Sequence, residues 1–140
     1  MSETEREAYD ELCAYALAHG DPEFIHQHVV DAFAAQHASD TSKPIGVTFA
    51  LVGLYLHVAK GFTGRQVQRV HTQLARHRGN WPSFILPSSR GHLTAIDVMK
   101  AAEGSERDHT IREWCSAVWD AFAANRHTII ILLNEHRIQF

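Results

Sequence analysis

The longest apolar stretch of the chain is IGVTFALVGLYLHVA, residues 45–59, and only Thr48 and His57 interrupt it. About 20 apolar residues are needed to cross the hydrocarbon layer of a bilayer, so this stretch is too short for a membrane span. A helix that is apolar on all its faces is typical of the centre of a helical protein. The stretch therefore predicts a buried central helix with other helices packed around it.

The rest of the chain also shows helical periodicity, with apolar residues three and four positions apart and stop signals between segments. We predict helices over residues 4–19, from Asp21 to about His37, from Pro44 to near Lys60 and Gly61, from Thr63 to about Arg78, over 94–103, and from Glu106 to about Arg137. Residues 79–93 break every period and predict an ordered loop whose apolar residues cover the bundle. The predicted fold class is all-α: one domain, residues 1–140, with four or five main helices, a loop that contains Trp and Pro, and a long C-terminal helix.

Polar residues mark the predicted starts of four helices. A side chain at such a position can accept hydrogen bonds from the first backbone N–H groups of the helix. Two of the signals resemble a capping box with Asp in the position usually taken by Glu. The four signals are Asp21 before Pro22 and Glu23, Thr63, Thr94 with Asp97, and Ser105 with Asp108.

Composition limits the classes of function. The chain has 140 residues, of which 45% are hydrophobic and 21% charged, and these values exclude disordered and low-complexity classes. The formal net charge of −3 argues against nucleic-acid binding. The acidic N-terminus lacks the features of a signal peptide, and the two cysteines, Cys13 and Cys115, are far apart in sequence. We therefore predict a cytoplasmic protein with reduced thiols and no membrane partner.

Histidine is enriched, with 11 residues in the chain. On the second predicted helix, His26 and His37 share one face, whereas His28 and Asp31 lie on the opposite side. Imidazole and carboxylate groups are good ligands for zinc, iron or nickel, and sites inside bundles draw their ligands from several helices. We therefore expect a site for a divalent metal or a small ligand. Its candidate residues are His26, Asp31, His37, His57 and Asp108.

A buried His–Asp network that only fixes the packing is the alternative. Asp31 is surrounded by apolar residues, and a buried carboxylate needs a partner. The nearest partner in sequence is His28, one turn earlier, and a donor from another helix is the other choice. In such a structural role, Asp31→Asn is expected to destabilise the fold by ~1–3 kcal/mol.

Three stretches resemble, in order and spacing, a small uncharacterised prokaryotic family that is catalogued as a domain of unknown function. They are HQHVVDAFAAQH (26–37), LVGLYLHVAKG (51–61) and REWCSAVWDAFAANRH (112–127). The residues that match the family pattern His-x4-Asp-x4-Gln-His and its Trp pair are His26, Asp31, Gln36, His37, Trp114 and Trp119. The resemblance implies an all-α fold and no known activity. A weaker similarity is to DinB-like helical bundles, which hold a metal through three histidines, although the His pair one turn apart is missing here.

A basic region occupies the middle of the chain, where residues 41–96 contain no carboxylate side chain. On the fourth predicted helix, Arg65, Arg69 and Arg76 form a stripe opposite the apolar face. Together with Arg90 of the following loop, they are candidates for binding a small anionic ligand such as phosphate. Contact with the acidic first helix, of the same chain or of a partner subunit, is an alternative, and a solvated face is another.

The last predicted helix carries five consecutive apolar residues, 129–133, which is more than a helix with one buried face needs. A second copy of the chain would cover such a patch, so we predict a homodimer. Two functions stay open at this point. One is a bundle that binds a small ligand or a metal, with enzymatic activity undecided, and the other is a non-catalytic interaction or oligomerisation module.

Overall fold

The structure of the protein is a computed structural model, and it describes residues 3–77 and 79–140. Helices dominate this part of the chain, and no strand occurs in it. The helices are α1 Glu3–Ala18, α2 His26–Gln36, α3 Pro44–Leu54 with a π-helical continuation Tyr55–Ala59, α4 Gly64–Ala75, α5 Ala95–Lys100, α6 Ser105–Phe122, a 3-10 turn Ala123–Asn125 and α7 Arg126–Glu135. Five of them (α1, α2, α3, α4 and α6) have 11 residues or more. The all-α prediction with four or five main helices is confirmed, and the predicted helix end at Arg78 lies outside the described residues.

Helix α2 lies at the centre of the bundle, because it packs against α1, α3, α4 and α6. Its buried face carries apolar residues such as Val29 and Phe33, but also the polar His28 and Asp31. Next to it, α3 and the π segment bury every residue from 50 to 56. The apolar stretch 45–59 therefore forms the predicted helix and buries its middle part, although its two ends are exposed and its last turn is wider than an α-helical turn.

The chain makes a sharp turn before α2, and the helix begins later than predicted. The Asp21 carboxylate accepts hydrogen bonds from the backbone N–H groups of Glu23 (2.9 Å) and Ile25 (3.0 Å), so it organises a turn instead of capping a helix at once. Phe24 has a φ of 64°. A Cβ atom on Gly64, at the start of α4, would lie 1.8 Å from the Phe24 carbonyl oxygen, so this contact requires glycine.

The other start signals have mixed outcomes. Capping boxes form at the starts of α4 and α5, as predicted, although α5 ends at Lys100 and not at 103. The signal from Ser105 and Asp108 is wrong, because no side chain caps α6. Asp108 instead accepts a hydrogen bond from the Tyr15 hydroxyl at 3.0 Å, which ties α6 to α1. The two boxes pair Thr63 with Gln66 and Thr94 with Asp97.

A 3-10 turn separates α6 from α7 where the sequence predicts one continuous helix. Asn125 lies in this turn and is buried. Its side-chain amide binds both the backbone N–H and the backbone carbonyl of one loop residue, Ile85. Its Oδ1 accepts from the Ile85 N–H at 2.7 Å, and its Nδ2 donates to the Ile85 carbonyl at 2.9 Å. The loop is ordered, as expected: Trp81, Phe84 and Leu86 pack against the core. Ile85 departs from the expectation, because its exposure is 66%.

Most of the apolar run 129–133 is covered by the chain itself. Ile129, Leu132 and Leu133 are buried, and Ile130 packs against the core, whereas Ile131 is 41% exposed. The run therefore needs no second copy to cover it, and the homodimer stays a prediction. Among the described helices, none has the length and apolar character required to cross a membrane.

Helices α2 and α3 come closest where Asp31 meets Gly53. A Cβ atom built on Gly53 would lie 1.9 Å from Oδ2 of Asp31, so the carboxyl group rests directly on the α3 backbone. Gly53 and Asp31 are both buried inside their helices, and the built Cβ would also lie 2.6 Å from Cγ of Asp31, so a small movement of the carboxyl oxygen would not relieve the clash. The contact explains why a glycine occurs inside an otherwise bulky apolar helix.

Gly53→Ala is expected to destabilise the protein by ~1–3 kcal/mol through overpacking. Gly46→Ala is the matched control, because Gly46 lies in the same helix and no atom lies within 4 Å of its ideal Cβ position. That control should gain about 0.5–1 kcal/mol from helix propensity. Urea unfolding of both variants measures the difference, and equal stabilities would contradict the close contact.

Candidate functional site

The five predicted metal or ligand residues do not form one centre. Within residues 3–77 and 79–140, no hydrogen bond, ion pair or ring contact joins any two of them. In the same part of the chain, no group of three His, Cys, Asp or Glu side chains is arranged to hold a metal ion. The five residues are His26, Asp31, His37, His57 and Asp108.

Three of the five lie in separate local environments. His26 lies edge-on to the Phe24 ring, and its Nδ1 is buried without a hydrogen-bond partner. His37 follows the last turn of α2, and its Nε2 lies 3.5 Å from the Glu5 carboxylate. Asp108 faces α1, where it binds Tyr15 and lies 3.4 Å from His19.

Asp31 is buried, as expected, but its partner differs from the expected one. Oδ1 accepts a hydrogen bond from Nε2 of Gln27 at 3.1 Å, and Oδ2 has no partner. His28 does not bind it. Burial raises the pKa of Asp31 well above its usual range, and the bond from Gln27 offsets this only in part. The carboxyl group therefore favours its protonated, uncharged form.

His57 pairs with His28, which the set of five candidates does not include. The two imidazole rings stack with their centroids 3.5 Å apart and their planes 15° from parallel. His28 comes from the first turn of α2, and His57 comes from the π segment that continues α3. The packing of α2 on α3 thus joins two polar rings inside a mainly apolar interface.

The hydrogen bonding of His57 fixes which nitrogen carries the proton. Nδ1 lies 3.0 Å from the backbone carbonyl oxygen of Phe62. Since a carbonyl only accepts, Nδ1 must donate, and Nε2 keeps a lone pair. Burial lowers the pKa of His57; the bond to Phe62 acts against this shift and Arg112 acts with it.

The His28 ring is also uncharged near neutral pH. Burial, with smaller effects from His57 and Arg112, lowers the pKa of His28 to about 3. Its Nδ1 has no hydrogen-bond partner. The stack therefore consists of two neutral imidazoles, which do not repel each other as two imidazolium ions would.

A cleft of about 130 Å³ opens beside this stack, and we call it the histidine cleft. The turn before α2 forms one wall, the loop between the π segment and α4 forms another, and α6 contributes Arg112. The cleft reaches the surface, because Glu23 and Arg112 are exposed. Its lining residues are Asp21, Glu23, Ile25, His28, His57, Gly61, Phe62, Thr63 and Arg112. None of them belongs to the loop 79–93, which the sequence places as the cover.

The four candidate anion-binding arginines lie in two different settings, and anion binding by them stays a prediction. Arg65, Arg69 and Arg76 are exposed along α4, and the Arg65 guanidinium lies over the Phe24 ring, 5.2 Å from its centroid. Arg90 instead binds the backbone carbonyl groups at the C-terminal end of α2, including that of Ala38. Arg65 and Arg90 therefore lie at opposite ends of α2, whose 11 residues span about 16 Å.

Gln36, a residue of the family pattern His-x4-Asp-x4-Gln-His, has a structural role and forms a hydrogen bond with Trp114. The indole Nε1 of Trp114 donates to Oε1 of Gln36 at 3.0 Å. The amide nitrogen of Gln36 donates to the carbonyls of Arg90 and Leu93 at 3.1 and 2.7 Å. One side chain thus holds α2, α6 and the end of the loop together.

A family profile that describes a family of unknown function, DUF5946, matches residues 4–123. The chain belongs to the DUF5946 family. All residues that line the histidine cleft fall within the matched part, whereas α7 lies beyond it. No curated protein and no solved structure matches the chain significantly. The predicted membership of a family of unknown function is therefore confirmed, and these comparisons give no support to the similarity to DinB-like bundles.

Sequence reasoning missed His28 and Arg112 as members of a site. His28 carried a signal, because it shares a helix face with Asp31, the most conspicuous polar residue of α2. Arg112 carried none, because it is one of several exposed charges on α6. Only the assembled fold places its guanidinium beside the two imidazoles.

The raised pKa of Asp31 reverses the effect expected of Asp31→Asn. In the unfolded chain this carboxyl group loses its proton near pH 4, whereas in the folded chain it keeps the proton to higher pH. Ionisation therefore stabilises the unfolded state, and the free energy of unfolding falls as pH rises. An amide is never ionised and is similar in shape to the protonated acid. Asp31→Asn is therefore expected to be ~1–3 kcal/mol more stable than the wild type at about pH 8, and nearly equal to it at about pH 4.

Urea unfolding at the two pH values measures this difference. Asp120→Asn is the control, because Asp120 is an exposed residue of α6, and its effect should stay within about 0.5 kcal/mol. A variant at position 31 that is less stable than the wild type at about pH 8 would show that Asp31 is ionised in the folded protein.

Proposed function

We propose that the protein binds a small polar molecule in the histidine cleft, with Nε2 of His57 as a hydrogen-bond acceptor. The observation that carries this proposal is the fixed tautomer of His57. The Phe62 carbonyl holds the proton on Nδ1, and within the described chain no protein donor binds Nε2. A neutral imidazole in this state can accept a hydrogen bond or a proton from a ligand.

The energetic cost of the site supports a role in binding. Buried polar groups normally have hydrogen-bond partners, and each exception calls for an explanation. His28 is buried and its Nδ1 has no partner, so the stack does not serve as a satisfied polar network. Short π-helical segments, such as the one that carries His57, occur frequently at functional sites.

A metal ion is the weaker candidate for this cleft. The rings are nearly parallel, so their lone pairs run side by side and do not converge on one point. The Asp21 carboxylate is already bound to two backbone N–H groups. The described residues also lack a set of three metal ligands, and a stable zinc site needs three or four. The proposal therefore concerns an organic ligand and not zinc, iron or nickel.

Nitrogen-detected NMR of the imidazoles tests the proposal. Four probes of similar size and different charge are titrated to about 10 mM: propionamide, propionate, propylammonium and L-alanine. We expect at least one of them to shift the His57 Nε2 signal in a saturable way. For so few heavy atoms, a dissociation constant near 1 mM, about −4 kcal/mol, is reasonable.

A pair of variants makes the test specific. His57→Phe keeps the stacked ring but removes the acceptor, so binding should be lost. His71→Phe is the matched control, because His71 also bonds a backbone carbonyl, that of Phe49, and stacks on the Phe49 ring, yet it does not line the cleft. If none of the four probes shifts the His57 signal, or if His57→Phe binds as the wild type does, the proposal is wrong.

A further inference from the structure

Two opposite charges line the histidine cleft without pairing with each other. Arg112 comes from α6, and Glu23 comes from the turn before α2. Both side chains are exposed. Among the salt bridges of the described residues, none includes either of them. A cation and an anion that share one small cleft, but lie too far apart to pair, leave a gap that a ligand with both charges can bridge.

The other polar groups of the cleft offer no further charge for a ligand to pair with. The Asp21 carboxylate is occupied, because its two oxygens accept the N–H groups of Glu23 and Ile25. These bonds also hold the turn that carries Glu23. The stacked imidazoles of His28 and His57 are neutral. The charges available to a ligand are therefore one guanidinium and one carboxylate, beside one imidazole acceptor.

The size of the cleft limits the ligand to a few atoms. Its volume of about 130 Å³ is enough for several water molecules. A molecule of about six heavy atoms fits such a space. Small α-amino acids have this size and carry both charges on adjacent groups.

We propose that the histidine cleft binds a small zwitterion of the α-amino-acid class, a step that rests on the function proposed above. The ligand carboxylate pairs with Arg112, whose guanidinium can bind both oxygens. The ligand ammonium donates to Glu23 and to Nε2 of His57, which uses two of its three hydrogens. His28 supports the His57 ring from behind through the stack.

Other charge types fit the cleft less well. A simple anion would meet Arg112 but also the carboxylate of Glu23. A simple cation would meet Glu23 but also the guanidinium of Arg112. Like charges within one cleft oppose binding, whereas a zwitterion can pair with both Arg112 and Glu23.

Calorimetric titration of the full chain with the four probes tests the charge requirement. L-alanine should bind at least about tenfold more tightly than propionate, propylammonium or propionamide. Arg112→Gln and Glu23→Gln should each weaken L-alanine binding by about tenfold or more. Arg76→Gln and Glu135→Gln are the matched controls, because both residues are exposed and neither lines the cleft, and they should leave the affinity unchanged.

The outcomes separate the two proposals. If a probe with one charge or none binds as tightly as L-alanine and shifts the His57 signal, the zwitterion proposal is overturned and the ligand site stands. If L-alanine binds but Arg112→Gln and Glu23→Gln bind it as the wild type does, the zwitterion is held elsewhere and this proposal is overturned. If no probe binds, both proposals fail.

Discussion

The contact between Asp31 of α2 and Gly53 of α3 is the constraint on which the rest of the structure depends. Gly53 has no side chain, so the Asp31 carboxyl group rests on the α3 backbone. This position is buried, and an ionised carboxylate there would carry a desolvation penalty of several kcal/mol. The close approach of the two central helices buries Asp31 and therefore favours its uncharged form.

The same approach builds the histidine cleft. His28 precedes Asp31 by three residues, and His57 follows Gly53 by four, so the two helices run in opposite directions past each other and their next turns meet. There the rings of His28 and His57 stack. His57 lies in the wider π-helical turn and lines the cleft, and its Nδ1 bonds the Phe62 carbonyl, so Nε2 has no protein donor among the described residues. The polar site is thus a consequence of how α2 and α3 pack.

The sequence predicts the fold well because its signals are local. The apolar stretch 45–59, the cap at Thr63 and the breaks around 79–93 depend on neighbouring residues only. The site is predicted poorly because its parts meet through tertiary packing. A periodicity of 100° per residue cannot anticipate the π segment at His57, the late start of α2 or the position of Arg112. Asp31 is predicted as buried, but its close contact with Gly53 involves another helix and has no local signal.

The ionisation state of Asp31 tests the account most directly. The carbon-13 shift of its side-chain carboxyl can be followed by NMR from about pH 4 to about pH 8 in the folded protein. We predict that the carboxyl stays protonated well above the pH at which an exposed aspartate ionises, because it is buried and, among the described residues, no cationic side chain pairs with it. A shift that titrates near pH 4, as in an unfolded chain, would contradict the account.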